Sequence, residues 1–72
     1  NESWSNVVSG DLLFFGDGEK VTHVGICIGG KDFIHQAGKV AINSLDPNSD
    51  VFSPYRSNSF MLIRRVITSN II

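Results

Sequence analysis

The chain has a single cysteine among its 72 residues, so no internal disulfide can staple it. That cysteine and the two histidines do not stand at metal-ligand spacing, and neither a metal nor a cofactor is expected. Charge is scarce and nearly balanced: six Lys and Arg against seven Asp and Glu give a net charge of −1. Such a surface gives no electrostatic reason to bind nucleic acid or anionic lipid. No stretch approaches the ~18 apolar residues of a membrane span, so no transmembrane segment is expected, and the opening residues do not read as a signal peptide. Internal repeats and low-complexity tracts are missing too. At 72 residues the chain makes at most one domain, near the lower limit of what folds without staples.

What the sequence does have is concentrated in residues 22–35, which hold both histidines and the cysteine. Val24, Ile26 and Ile28 alternate with His23, Gly25 and Cys27, the period of a strand with two unlike faces. Gly29-Gly30-Lys31 signals a turn, and Phe33-Ile34-His35 begins the return strand. A three-residue loop at 29–31 pairs Ile28 with Asp32, Gly25 with His35 and His23 with Ala37. His23 and His35 then share a face as diagonal neighbours, about 7–8 Å apart at the backbone. Glycine lies opposite His35 and leaves its ring unobstructed. A two-residue loop would send the histidines to opposite faces, because a one-residue slip inverts a strand. The same-face register is the expectation.

Two imidazoles side by side suit general acid–base chemistry, one transferring the proton while the other fixes its tautomer and orientation. A pair of partly exposed structural histidines fits the same pattern. Cys27 sits mid-strand between Ile26 and Ile28, with neither a helix start nor a cation to activate a thiolate, and reads as a small core hydrophobe.

The rest of the chain reads as more strands. Trp4 anchors the polar entry segment 1–9, and Ser9-Gly10-Asp11 turns into the apolar run 12–15. A run apolar on both faces implies a strand covered on both sides, and hence a further layer of structure. Asp17-Gly18-Glu19-Lys20 is a hairpin turn placed at the rim of any cleft near His23. Five antiparallel strands are expected, near residues 11–16, 21–29, 32–37, 39–44 and 60–67. Residues 45–59, with Pro47 and Pro54, read as a long loop in which Tyr55 and Arg56 pack on the surface, with contact to a substrate as the alternative. Arg64 and Arg65 read as solvated, with a pairing to Asp11 as the alternative. Residues 68–72 read as a fraying tail.

Four ordered blocks carry a family likeness. Gly10-Asp11-Leu12-Leu13-Phe14-Phe15-Gly16, Thr22-His23-Val24-Gly25-Ile26, Phe33-Ile34-His35 and Ile42-Asn43-Ser44-Leu45-Asp46-Pro47 closely resemble the NlpC family of papain-like cysteine peptidases. The likeness runs from about Ser9 to Val66 and is nearest to the γ-D-glutamyl-L-diamino acid endopeptidases that cut bacterial cell-wall peptides. It implies an α+β papain-like domain whose antiparallel sheet half is this chain. It also implies His23 as catalytic base and His35 as its orienter, in a protein of the cell envelope or secreted. The family's nucleophile is a cysteine in an Asp-Cys-Ser-Gly type motif at a helix start upstream of the Gly-Asp-Leu block, and no such motif precedes Gly10 here. By resemblance residues 1–72 are the C-terminal part of one catalytic domain, with the nucleophile-bearing helical half as a partner outside them and a cell-wall peptide as substrate. Two other readings stand beside it: a non-catalytic small β-barrel binding module, and a half-domain that pairs with another chain.

Overall fold

The structure, a computed structural model, describes residues 4–65. Its strands are β1 (Leu12–Gly16), β2 (Val21–Gly29), β3 (Asp32–Ala37), β4 (Lys39–Ser44) and β5 (Phe60–Arg64). They form one antiparallel sheet in the order β4-β3-β2-β1-β5. The mainly-β architecture read from the sequence is therefore the observed one. β5 ends at Arg64, whereas the expected strand ran to 67; positions 66 and 67, like the expected tail, lie outside the described residues.

The central hairpin reaches the expected register by an unexpected route. Gly25 pairs with His35, Ile26 with Ile34 and Cys27 with Phe33, but Asp32 pairs with Gly29 rather than Ile28. Ile28 is the extra residue of a β-bulge, and the turn proper is the two residues Gly30 and Lys31. A bulge adds one residue to one strand, so a two-residue turn plus a bulge restores the pairing of a three-residue loop. Gly29 and Gly30 take φ of 143° and 55°, values that L side chains rarely adopt.

Leu13, Phe15, Cys27, Phe33 and Leu45 form the buried core on one sheet face, with Trp4, Val7, Phe60 and Ile63 packed against it. Trp4 does anchor the entry segment, its ring 5.4 Å from that of Phe60. The opposite face is also apolar. Leu12 and Phe14 are half-buried there, while Val24, Ile26 and Ile42 across the sheet remain 44–50% exposed.

Two corrections concern the second half of the chain. Residues 45–59 are not one loop, because Pro54–Ser59 form a short helix, α1. Ser53 caps it, its side chain accepting the Arg56 amide, and proline occupies the first turn, where its missing N–H costs nothing. Nor is Arg65 solvated alone. Its Nε donates to Asp11 Oδ1 at 3.0 Å, and Nη2 donates to Asp11 Oδ2 and the Asn6 carbonyl. Asp11 is 2% exposed and also accepts the Val8 amide at 3.0 Å. Arg65 first, and the Val8 amide second, hold its carboxyl below the usual carboxylate range.

Gly25 is a point of close approach on the core face. A Cβ there would stand 2.8 Å from Phe33 Cδ2 and 3.5 Å from His35 Cβ. Gly25→Ala should therefore destabilise the fold by about 1–3 kcal/mol through overpacking. Urea unfolding of the variant checks this, and an unchanged midpoint would mean that the close approach is not real.

Candidate active site

The register of β2 and β3 brings the two histidines onto the core face at one end of the sheet. His23 Nε2 and His35 Nδ1 are 2.7 Å apart, with the rings edge to face at 84°. His35 is buried at 7% exposure, and its ring lies 4.8 Å from that of Phe33. His23 is half-buried, 5.7 Å from the Phe15 ring.

A third side chain completes the line. His35 Nε2 lies 2.7 Å from Asn43 Oδ1, and Asn43 Nδ2 donates to the Val51 carbonyl at 3.0 Å. Asn43 was not among the residues singled out from the sequence. The diagonal arithmetic that paired the histidines would have found it: Phe33 pairs with Asn43 across β3 and β4, so Asn43 is the diagonal neighbour of His35.

Asn43 decides the tautomers. Its amide nitrogen is committed to Val51, so its oxygen faces the ring, and an amide oxygen only accepts. His35 Nε2 must therefore carry the proton and donate to Asn43 Oδ1. In a neutral ring His35 Nδ1 is then the acceptor, and His23 Nε2–H donates to it. The remaining nitrogen of His23, Nδ1, keeps its lone pair. The line Val51–Asn43–His35–His23 thus presents one basic nitrogen of fixed orientation.

Electrostatics keep that nitrogen unprotonated. Burial lowers the His23 pKa below its ordinary value, and the Arg56 charge and then the neighbouring His35 lower it further. Arg56 projects from α1 with its guanidinium 5.9 Å over the Phe15 ring and 4.9 Å from the Tyr55 ring. The β1–β2 turn, held by Asp17 Oδ1 accepting the Glu19 and Lys20 amides at 3.1 Å, lines a concavity, but His23 is not among the residues lining it. That hollow of about 420 Å³ also takes in Tyr55, Asn58 and Met61.

Cys27 is elsewhere in the chemistry. It is 1% exposed, accepts the Gly29 amide at 3.4 Å and lies 3.6 Å from the Gly30 carbonyl. Its role is to fill the core and support the bulge. Among the described residues no group of three or more His, Cys, Asp or Glu side chains could hold a metal ion. No helix among them is long and apolar enough to cross a membrane.

Comparison with known proteins adds two findings. The model of the NlpC/P60 family matches residues 1–65. A solved structure from Staphylococcus aureus, described as similar to a lipoprotein of the NLP/P60 family, superposes with a TM-score of 0.72 at 31% identity over 93% of this chain. The chain spans 22% of the length of that protein. No curated protein matches.

The lowered His23 pKa has a definite sign. A neutral folded histidine contributes stability that is full above about pH 6.5. That contribution is lost as pH falls from there through the folded value. NMR titration of the histidine ring protons should place the His23 midpoint below 6.5. Arg56→Gln should raise that midpoint; no upward movement would show that the Arg56 charge does not reach the ring.

Proposed function

This chain belongs to the NlpC/P60 family, and from that premise we propose that it supplies the base-bearing sheet of a cysteine endopeptidase acting on bacterial cell-wall peptides. The observation that carries the reading is the bare Nδ1 of His23 at the end of an oriented line of hydrogen bonds. The bond cut is the γ-D-glutamyl to diamino-acid linkage, the substrate of the group whose four sequence blocks this chain resembles. The thiol comes from a segment outside these 72 residues, since Cys27 is buried in the core. A helical layer bearing that thiol would also cover apolar sheet surface that the chain by itself leaves exposed. A place in the cell envelope fits this substrate and the lipoprotein-like description of the Staphylococcus aureus neighbour.

The steps follow from the protonation states. His23 Nδ1 takes the thiol proton, and the thiolate attacks the γ-carbonyl carbon. The imidazolium returns the proton to the leaving amine as the C–N bond breaks, giving a thioester. Water then attacks the thioester with Nδ1 again as base, releasing the acid and the thiol. Throughout, His35 holds His23 by its Nε2–H and lets the charged ring share its proton with a neutral acceptor. Asn43 in turn keeps His35 from taking the other tautomer.

The test uses the full-length gene product and a γ-D-glutamyl-diamino acid peptide. His23→Ala should lower kcat/KM by about 10²–10⁴, the usual worth of a positioned base. Asn43→Ala should cost about tenfold, comparable to one hydrogen bond of about 1.4 kcal/mol. Residues 1–72 alone should show no turnover. Full activity of the His23 variant, or hydrolysis by the 72 residues in isolation, would remove this reading and return the chain to the class of binding modules.

A further inference from the structure

Arg65 and Arg56 stand in opposite circumstances. Arg65 spends its donors on the Asp11 carboxylate and the Asn6 carbonyl and fastens the entry segment to the sheet. The Arg56 side chain has neither an ion-pair partner nor a hydrogen-bond acceptor among the described residues, although it is half-buried. What holds it is aromatic: Phe15 at 5.9 Å and Tyr55 at 4.9 Å. Both rings lie within cation–π range of the guanidinium. Aromatic neighbours supply no in-plane acceptor for the N–H donors of a guanidinium, which leaves those donors available to a planar acceptor.

The position of this group matters as much as its vacancy. The Phe15 ring that supports Arg56 also touches His23, with 5.7 Å between ring centroids. A fixed cation therefore lies about two ring contacts from the proposed base. Its charge lowers the His23 pKa and so opposes the imidazolium that the proposed reaction must form. Within the described protein nothing offsets that cost. An anionic group of the substrate would, by neutralising Arg56 at the moment the ring becomes charged.

We infer that Arg56 is a specificity-determining residue that anchors a free carboxylate of the substrate beside the scissile bond. The inference rests on the peptidase reading above and names the group recognised. A peptide linked through the γ-carboxyl of glutamate leaves that residue's α-carboxylate free, a few bonds from the reacting carbonyl. The planar carboxylate matches the two-pronged edge of a guanidinium. A carboxamide in the same place has the same shape, lacks the charge, and presents one donor to another.

The experiment compares two synthetic peptides on the full-length protein, alike except that the glutamyl α-carboxylate is a carboxamide in one. Wild-type protein should favour the carboxylate peptide by about tenfold to a hundredfold in kcat/KM, the range of a charged hydrogen bond. Arg56→Gln should bring the ratio to within about twofold of unity. Arg56→Lys should keep part of the preference, since it retains charge without the fork. Using the ratio removes the effect of Arg56 on the base of the empty site, which is common to both peptides, and leaves the contact with the carboxylate together with the relief of the Arg56 field that this contact brings. Equal rates on the two peptides by wild type, or an undiminished preference in Arg56→Gln, would overturn the inference. Turnover of neither peptide would instead defeat the peptidase reading. The anchor is then judged by NMR titration of the same two peptides, where equal binding by wild type overturns it and a carboxylate preference lost in Arg56→Gln upholds it.

Discussion

The pairing of Gly25 with His35 is the constraint on which the rest of the site depends. A β-strand alternates its faces, so a slip of one residue between β2 and β3 would turn one histidine outward. The bulge at Ile28 and the glycines around it hold the register. Gly25 then admits the Phe33 ring to within a distance that no Cβ would tolerate and leaves the His35 side chain in ordinary contact beside it. Core packing and site geometry are therefore the same fact here: the Phe15–Phe33 contact at 5.2 Å that fills the interior also walls the histidine pair. Cys27 takes part from below, filling the core beside Phe33 and bonding to the bulge.

From that pair the order propagates outward through hydrogen bonds to a loop. Val51 gives its carbonyl to both the Ser44 amide and the Asn43 side chain. Ser44, fully buried, receives the Asp46 amide on its hydroxyl and returns the chain to Phe52 and Ser53. Side-chain bonds at Asp46 and Ser49 tighten the turns between. A segment that is far from the histidines in composition thus sets which nitrogen of His23 is basic. The same segment ends in the Ser53 cap that orients α1, and α1 carries Arg56 to the other side of His23.

Periodicity made the sheet legible. The alternation in residues 23–28, the Asp-Gly turn and the glycine breaks place four strand starts and ends within a residue of the observed ones, because strand faces and turns are local in origin. Other features depend on partners distant in sequence. The bulge was hidden because a two-residue turn with an extra residue and a three-residue loop give the same pairing at Gly25 and His35. The Arg65–Asp11 pair spans 54 positions, and nothing local selects Arg65 over Arg64. Helix α1 is six residues long, too short for periodicity, yet Ser53-Pro54 is an N-cap followed by a first-turn proline and could have been read as such. The two histidines were legible as a pair; Asn43 was within reach of the same arithmetic, and Arg56 could be named from its loop as a surface or substrate-contacting residue but not placed beside His23, since its place follows from the helix.

The polar line behind His23 contains no negative charge. It ends at an amide and a backbone carbonyl, whereas a carboxylate in the place of Asn43 would stabilise a charged His35 and, through it, a proton shared with His23. A neutral terminus adds no charge that would hold a proton on His23, which agrees with burial and Arg56 lowering its pKa. A base so arranged is unprotonated at neutral pH and ready to accept a proton, but its imidazolium has no counter-ion supplied by the described residues. In the proposed reaction the first proton transfer is therefore least favourable when the site is empty. A substrate that brings its own negative charge to Arg56 removes the opposing field as it binds. Recognition and activation of the base would then be one event, which is what makes the charge on the substrate, rather than its shape alone, the property this arrangement can select.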